Sequence, residues 1–292
     1  MSGPVRKSRH MQDGAVSYLE WESDAPCLVF AHANGFNAET YKSILAPLSD
    51  RLRIIAIDQR GHGFTTLPTP PGFARQWLVF RDDLIRFLDG LGTGPVILAG
   101  HSLGGSASLM AAVARPDLVR GLVLVEPVLV PPRLAVPMHV SRLLRMGKPV
   151  LPIAQRALRR RANFESAEAM EALYRGRGAF KDWPEDMVHD YVAGGTLANG
   201  DGTVRLACAP RAEAEIFDSP HFGLYKLARR LRCPATLIRG TRDSTCAAPM
   251  AAAFQRLKPD ARVLAVSGAS HFLPMERPEI VREEILRIAA VS

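Results

Sequence analysis

The sequence predicts an α/β protein: a mostly parallel sheet flanked by helices and interrupted late by a block of helices. Three observations predict it. Short unbroken apolar runs, of the kind buried parallel strands carry, recur at 27–31, 54–57, 96–99 and 122–125. Helical spacing separates them, clearest in Trp77, Phe80, Leu84, Phe87, Leu88 and Leu91. Each run then stops at a polar or Gly-containing cluster, where parallel sheets open on a ligand crevice.

Taken in order, residues 15–22 alternate through Val16, Tyr18 and Trp21, which predicts an early strand. The run 27–31 is a buried strand that stops at His32-Ala33-Asn34-Gly35-Phe36. A short helix over 39–48 leads to the strand 54–57 and the turn Asp58-Gln59-Arg60-Gly61-His62-Gly63. The helix 77–91 is closed by Gly92 and Gly94. The strand 96–100 runs straight into a small-residue helix over 102–114, and the strand 122–125 ends at Glu126-Pro127. From 128 to about 222 no buried strand is expected, only helical patterns rich in Arg. Alternation resumes with a strand at 235–238, a helix over 249–257, a strand at 262–266 and a last helix that starts at Pro278. The expected division is therefore a core of residues 1–127 and 222–292 with a helical lid inserted at 128–221.

Composition bounds the rest. The chain has 292 residues, 47% hydrophobic and 23% charged, enough for a sizeable core. Its net charge of +8 is carried mostly by Arg. That balance suits an anionic partner or a solvated basic surface; the second is the expectation, because no nucleic-acid motif accompanies it. Cys27, Cys208, Cys233 and Cys246 are scattered without metal-ligand spacing and are expected to be reduced thiols of a cytoplasmic protein. No signal peptide and no membrane span are expected.

The chemistry centres on Gly100-His101-Ser102-Leu103-Gly104. A strand that turns abruptly into a helix strains its turn residue and exposes its hydroxyl, and the two glycines relieve the crowding. Ser102 is thus the expected nucleophile. A serine needs a base, and the base needs an orienting carboxylate. His271, in the loop after the last strand, is the expected base among eight histidines. Asp243, after the penultimate strand, is the expected acid; Glu126, after the strand that follows the nucleophile, is the alternative. The oxyanion hole needs two backbone N–H groups. Leu103 at the head of the helix should give one, and Asn34 the other, with Ala33 as its alternative.

Together these motifs, with Gly240-x-x-Asp243 and Gly268-x-x-His271, resemble the α/β-hydrolase superfamily, most of all its esterase, haloperoxidase and epoxide-hydrolase branch. The resemblance covers residues 15–127 and 222–290. It implies the α/β-hydrolase fold, a serine triad and a helical lid. The chain departs from epoxide hydrolases and haloalkane dehalogenases by carrying Ser102 where those have Asp, so neither chemistry follows. The expected activity is carboxylesterase-like: cleavage of a carboxylic ester or related acyl bond in a small-molecule substrate, without metal or organic cofactor. The same triad also serves C–C or lactone hydrolysis and cofactor-free perhydrolysis. A ligand receptor with little turnover is the alternative of another class. Lid residues Leu143, Leu144, Met146, Phe164, Leu173, Tyr174, Phe180 and Trp183 are candidates for an acyl pocket, though most are expected to pack lid helices together. The lid arginines could bind a substrate carboxylate or face solvent; the second is the expectation.

Overall fold

The computed structural model describes residues 3–144 and 151–292; for 139 and 141–144 only the backbone is described. Strands β1 (Val5–Met11) and β2 (Gly14–Trp21) form a hairpin, followed by β3 (Cys27–Ala31), the short helix α1 (Lys42–Leu45) and β4 (Arg53–Ile57). Helix α2 (Leu78–Leu91), β5 (Val96–His101), α3 (Leu103–Ala114) and β6 (Val119–Val125) complete the first half. Then come α4 (Ala135–Leu144), α5 (Pro152–Leu158), β7 (Asn163–Phe164), α6 (Ala167–Tyr174), α7 (Glu185–Gly195), β8 (Thr196–Ala198), β9 (Val204–Leu206) and α8 (Pro210–Phe217). The chain returns through β10 (Ala235–Gly240), α9 (Ala248–Leu257), β11 (Arg262–Val266), α10 (Leu273–Glu276) and α11 (Pro278–Val291).

Eight strands form one sheet in the order β1-β2-β4-β3-β5-β6-β10-β11. The pairs β1–β2 and β2–β4 are antiparallel, and every pair from β4 to β11 is parallel. The central strands β3 and β5 are buried throughout, as their unbroken apolar runs require. Two apolar clusters cover the faces. One gathers Val29, Leu98 and Leu124 with Phe80 and Phe87 of α2; the other gathers Leu28, Phe30 and Ile97 with Ile285 and Ile288 of α11.

Two features depart from the sequence's expectation. Strand β1 was not expected, because Arg6, Lys7 and Arg9 hide its alternation; its basic side chains blunt an exposed sheet edge. Between β6 and β10, where no buried strand was expected, β7, β9 and β8 form a small antiparallel sheet with Phe164 and Leu206 buried. Strands of two or three residues are too short to show a period of two.

The segment between β6 and β10 lies on the loops that leave the carboxyl ends of the strands. Asn37 donates to the carbonyl of Tyr191 in α7 at 2.9 Å, and Trp77 donates to the carbonyl of Ile216 in α8 at 2.9 Å. Among the described residues no helix is long and apolar enough to cross a membrane.

Candidate active site

Ser102 stands between β5 and α3 at φ 55° and ψ −113°, a left-handed conformation that non-glycine residues rarely hold. The turn exists because Gly104 allows it. A Cβ on Gly104 would lie 2.1 Å from the carbonyl oxygen of Ala31, and one on Gly100 would lie 2.5 Å from the carbonyl carbon of Gly104. Helix α3 can therefore start directly against β3 and β5, with the Ser102 hydroxyl at its head.

His271 Nε2 is 3.0 Å from Ser102 Oγ, and its Nδ1 is 3.1 Å from Glu126 Oε2. A carboxylate facing Nδ1 fixes the proton on that nitrogen and leaves Nε2 as an acceptor for the serine proton. Glu126 itself is wholly buried and adopts φ 49° as β6 ends. Burial acts to raise its pKa, but hydrogen bonds from His271, Ser244 and the Gly240 N–H outweigh that and hold it below the ordinary carboxylate range. The Thr245 N–H adds a further bond to Oε2 at 3.0 Å.

Asp243, the expected carboxylate, is not at this position. It is exposed at φ 48°, and among the described residues it makes no hydrogen bond to His271. Its loop serves the site differently. Ser244 donates to Glu126 Oε1 at 2.7 Å, and the Thr245 hydroxyl lies 3.1 Å from His271 Nδ1. Because β6 and β10 are neighbours in the sheet, either strand end can reach His271. The donors after Asp243 cradle a carboxylate arriving from β6. Two hydroxyl residues directly after Asp243 were the sequence signal for that arrangement.

The loop after β3 is held from several sides. Ala33 donates its N–H to the Tyr41 hydroxyl at 3.2 Å, and Gly35 donates its N–H to His62 Nε2 at 2.9 Å. Between them the Asn34 N–H has no acceptor among the described residues. The Leu103 N–H sits in the first turn of α3, where no intrahelical acceptor exists. Asn34, Leu103, Ser102 and His271 all line one cavity of about 480 Å³.

The cavity wall is largely apolar, with Phe36, Val128, Ile153, Phe180, Phe217 and Phe272 among its residues. Of the lid candidates, Tyr174 and Phe180 line it, whereas Phe164 and Trp183 are buried in the core and Leu173 is exposed. Met146 and the side chains of Leu143 and Leu144 lie outside the described residues. Arg156, Arg159 and Arg161 are exposed, as expected, although Arg156 also borders the cavity; Arg160 is half-buried in the cavity wall, which corrects for that residue the expectation that the lid arginines face solvent.

The sequence profile of the alpha/beta hydrolase family matches residues 28–284. The chain belongs to the alpha/beta hydrolase family. This hydrolase-family chain is 29% identical over 284 residues to a 2-(acetamidomethylene)succinate hydrolase of Mesorhizobium japonicum, covering 95% of the chain and 93% of that relative. It is 32% identical over 126 residues to an esterase of Mycobacterium tuberculosis, covering 43% of the chain and 41% of that relative. The solved structure of an E-2-(acetamidomethylene)succinate hydrolase superposes with a TM-score of 0.76 at 26% identity, covering 98% of each chain. A thioesterase domain from the curacin biosynthetic pathway superposes with a TM-score of 0.73 at 20% identity, covering 98% of this chain and all of that one, and so shares the fold.

Proposed function

We propose that this alpha/beta hydrolase family member cleaves a carboxylic ester or related acyl bond of a small molecule through an acyl-enzyme. The observation that carries this reading is the relay of Ser102, His271 and Glu126, with heavy-atom separations of 3.0 and 3.1 Å. In it, His271 Nε2 takes the Ser102 proton as Oγ attacks the carbonyl carbon, and Glu126 stabilises the imidazolium that forms. The Leu103 and Asn34 N–H groups receive the developing oxyanion; one such donor is worth about 2.7–4 kcal/mol of barrier. The imidazolium then gives its proton to the leaving group. Water, deprotonated by His271, attacks the acyl-enzyme and releases the acid. The described residues of 128–221 act as a lid that walls the cavity.

The relatives support the breadth of this reading, since those named above include an esterase and a hydrolase of an acetamidomethylene succinate. The test is a panel of short-chain chromogenic esters and anilides assayed with the native protein and with Ser102→Ala. Turnover that disappears in the variant supports the reading. Native protein that turns over no acyl substrate and yet binds the panel tightly favours a receptor instead.

A further inference from the structure

Resting on the acyl-hydrolase reading above, we propose that the substrate carries a carboxylate away from the scissile bond, and that Arg156 with the hydroxyls of Tyr174 and Tyr191 receives it. Four residues of one helical face line the cavity: Ile153, Arg156, Ala157 and Arg160. Their spacing of i, i+3, i+4 and i+7 is that of a single stripe. Helix α5 ends at Leu158, and the Arg160 N–H continues the turn by donating to the Ala157 carbonyl at 3.1 Å. This face of the helix thus brings two arginines to the cavity, one turn apart.

The two arginines differ in their partners. Arg160 donates to Glu213 Oε2 at 2.6 Å and to the hydroxyls of Tyr174 and Tyr191 at 3.2 and 2.9 Å. Its charge is matched by Glu213, whose side chain is almost wholly buried. Arg156 has no carboxylate or carbonyl partner among the described residues, and it is exposed where the cavity meets solvent. With Arg160 and Glu213 cancelling, Arg156 is the one unmatched positive charge among the described residues of the wall.

The hydroxyl protons give the second argument. Each tyrosine oxygen already accepts from Arg160, so its own proton must point elsewhere. No acceptor among the described residues takes either proton. Burial pushes the Tyr191 phenol up to about 12, so it keeps its proton at any working pH. The largely apolar cavity therefore has two O–H donors and an unpaired guanidinium among its lining residues, and no described residue accepts from them. An oxygen-bearing anion completes that set. A single unmatched positive charge balances a carboxylate, whereas a phosphate monoester near −2 would leave negative charge uncompensated.

The experiment compares two phenyl esters of the same shape, phenyl hydrogen glutarate and the phenyl ester of the glutaric half-amide, by release of phenol at low ionic strength. The expected result is a kcat/KM for the anionic ester about tenfold or more above that of the neutral one. The preference should shrink on adding salt and fall by about tenfold in Arg156→Gln, with Arg156→Lys retaining part of it. Tyr174→Phe should lower the ratio further without changing the circular dichroism spectrum. Equal rates for the two esters, or a preference untouched by Arg156→Gln, would overturn the subsite while leaving the acyl-hydrolase reading intact. Should neither ester be cleaved, that reading fails separately, and calorimetric binding of the same pair to Ser102→Ala decides the subsite. Tighter binding of the anion that Arg156→Gln abolishes supports it; equal or absent binding of the two overturns it.

Discussion

The Tyr41 hydroxyl lies 2.6 Å from Nδ1 of His101, and both side chains are wholly out of contact with solvent. His101 Nε2 in turn faces the carbonyl oxygen of His271 at 2.8 Å. A carbonyl only accepts, so Nε2 carries the proton and Nδ1 accepts from Tyr41. Burial, together with the neighbouring His271, lowers the pKa of His101 well below the usual histidine range, which keeps that tautomer neutral. The same Tyr41 oxygen accepts from Ala33, so one chain of hydrogen bonds joins the loop after β3 to the backbone of the proposed base.

Tyr41→Phe removes the centre of that chain. It leaves the Ala33 N–H and His101 Nδ1 buried without partners, at about 1–3 kcal/mol each. The midpoint of urea unfolding should fall accordingly. Loosening both loops should lower kcat while leaving KM nearly unchanged, because the cavity wall that holds the substrate is not altered. A variant with native stability and native kcat would show that the chain does not position either loop.

Acid should weaken the fold through two other buried histidines. Burial pushes His32 down to about 4, and burial with the neighbouring His32 pushes His62 down to about 3. Unfolded, each titrates near the ordinary value of about 6.5. Between those values the unfolded chain binds protons that the folded chain refuses, so stability rises with pH across the window. It is full above about 6.5, is lost as pH falls toward 4 and 3, and levels off below. From pH 7.5 to pH 5 the loss should be about 2 kcal/mol per histidine. Urea titrations at the two pH values measure it, and a flat profile would contradict the burial argument.

Much of the fold was legible because close backbone approach and burial leave marks on local sequence. Gly104 follows Ser102 since no Cβ fits there against β3, Gly100 precedes it since none fits against the start of α3, and the apolar runs of β3 through β6 reflect two covered faces. The acid was harder to read. Chain order favours Asp243, but Glu126 and Asp243 follow adjacent strands, and the choice turns on which carboxylate is cradled by Ser244 and Thr245. The link from Ala33 through Tyr41 and His101 to His271 joins residues far apart in the chain and has no local pattern at all. Arg156 and Arg160 were seen as basic residues on a helix. Which side of that helix faces the site depends on how the insertion docks, and that is set by contacts such as Asn37 with Tyr191.

Gly104→Ala tests the strand-to-helix turn directly. The added Cβ would meet main-chain oxygen at 2.1 Å, so α3 must shift away from β3. Main chain cannot yield as a flexible side chain can, and the expected cost exceeds about 3 kcal/mol, with loss of soluble protein or of turnover. Gly3→Ala, where a Cβ meets nothing within 4 Å, should stay within about 0.5 kcal/mol of the native protein. Equal melting temperatures for the two variants would mean that the turn is not under the constraint described.

The two carboxylates can be separated by paired isosteres. Glu126→Gln keeps the shape of the side chain but removes the negative charge that fixes the His271 tautomer and stabilises its protonated form. The expected loss in kcat is on the order of 10³–10⁴-fold with little change in KM. Asp243→Asn alters an exposed side chain at φ 48°, a conformation that Asn also tolerates, so its kcat should stay within about twofold of the native value. Circular dichroism and urea midpoints establish that both variants are folded before rates are compared. A large loss in Asp243→Asn with a small one in Glu126→Gln would return the acid to the loop after β10 and require that loop to rearrange during turnover.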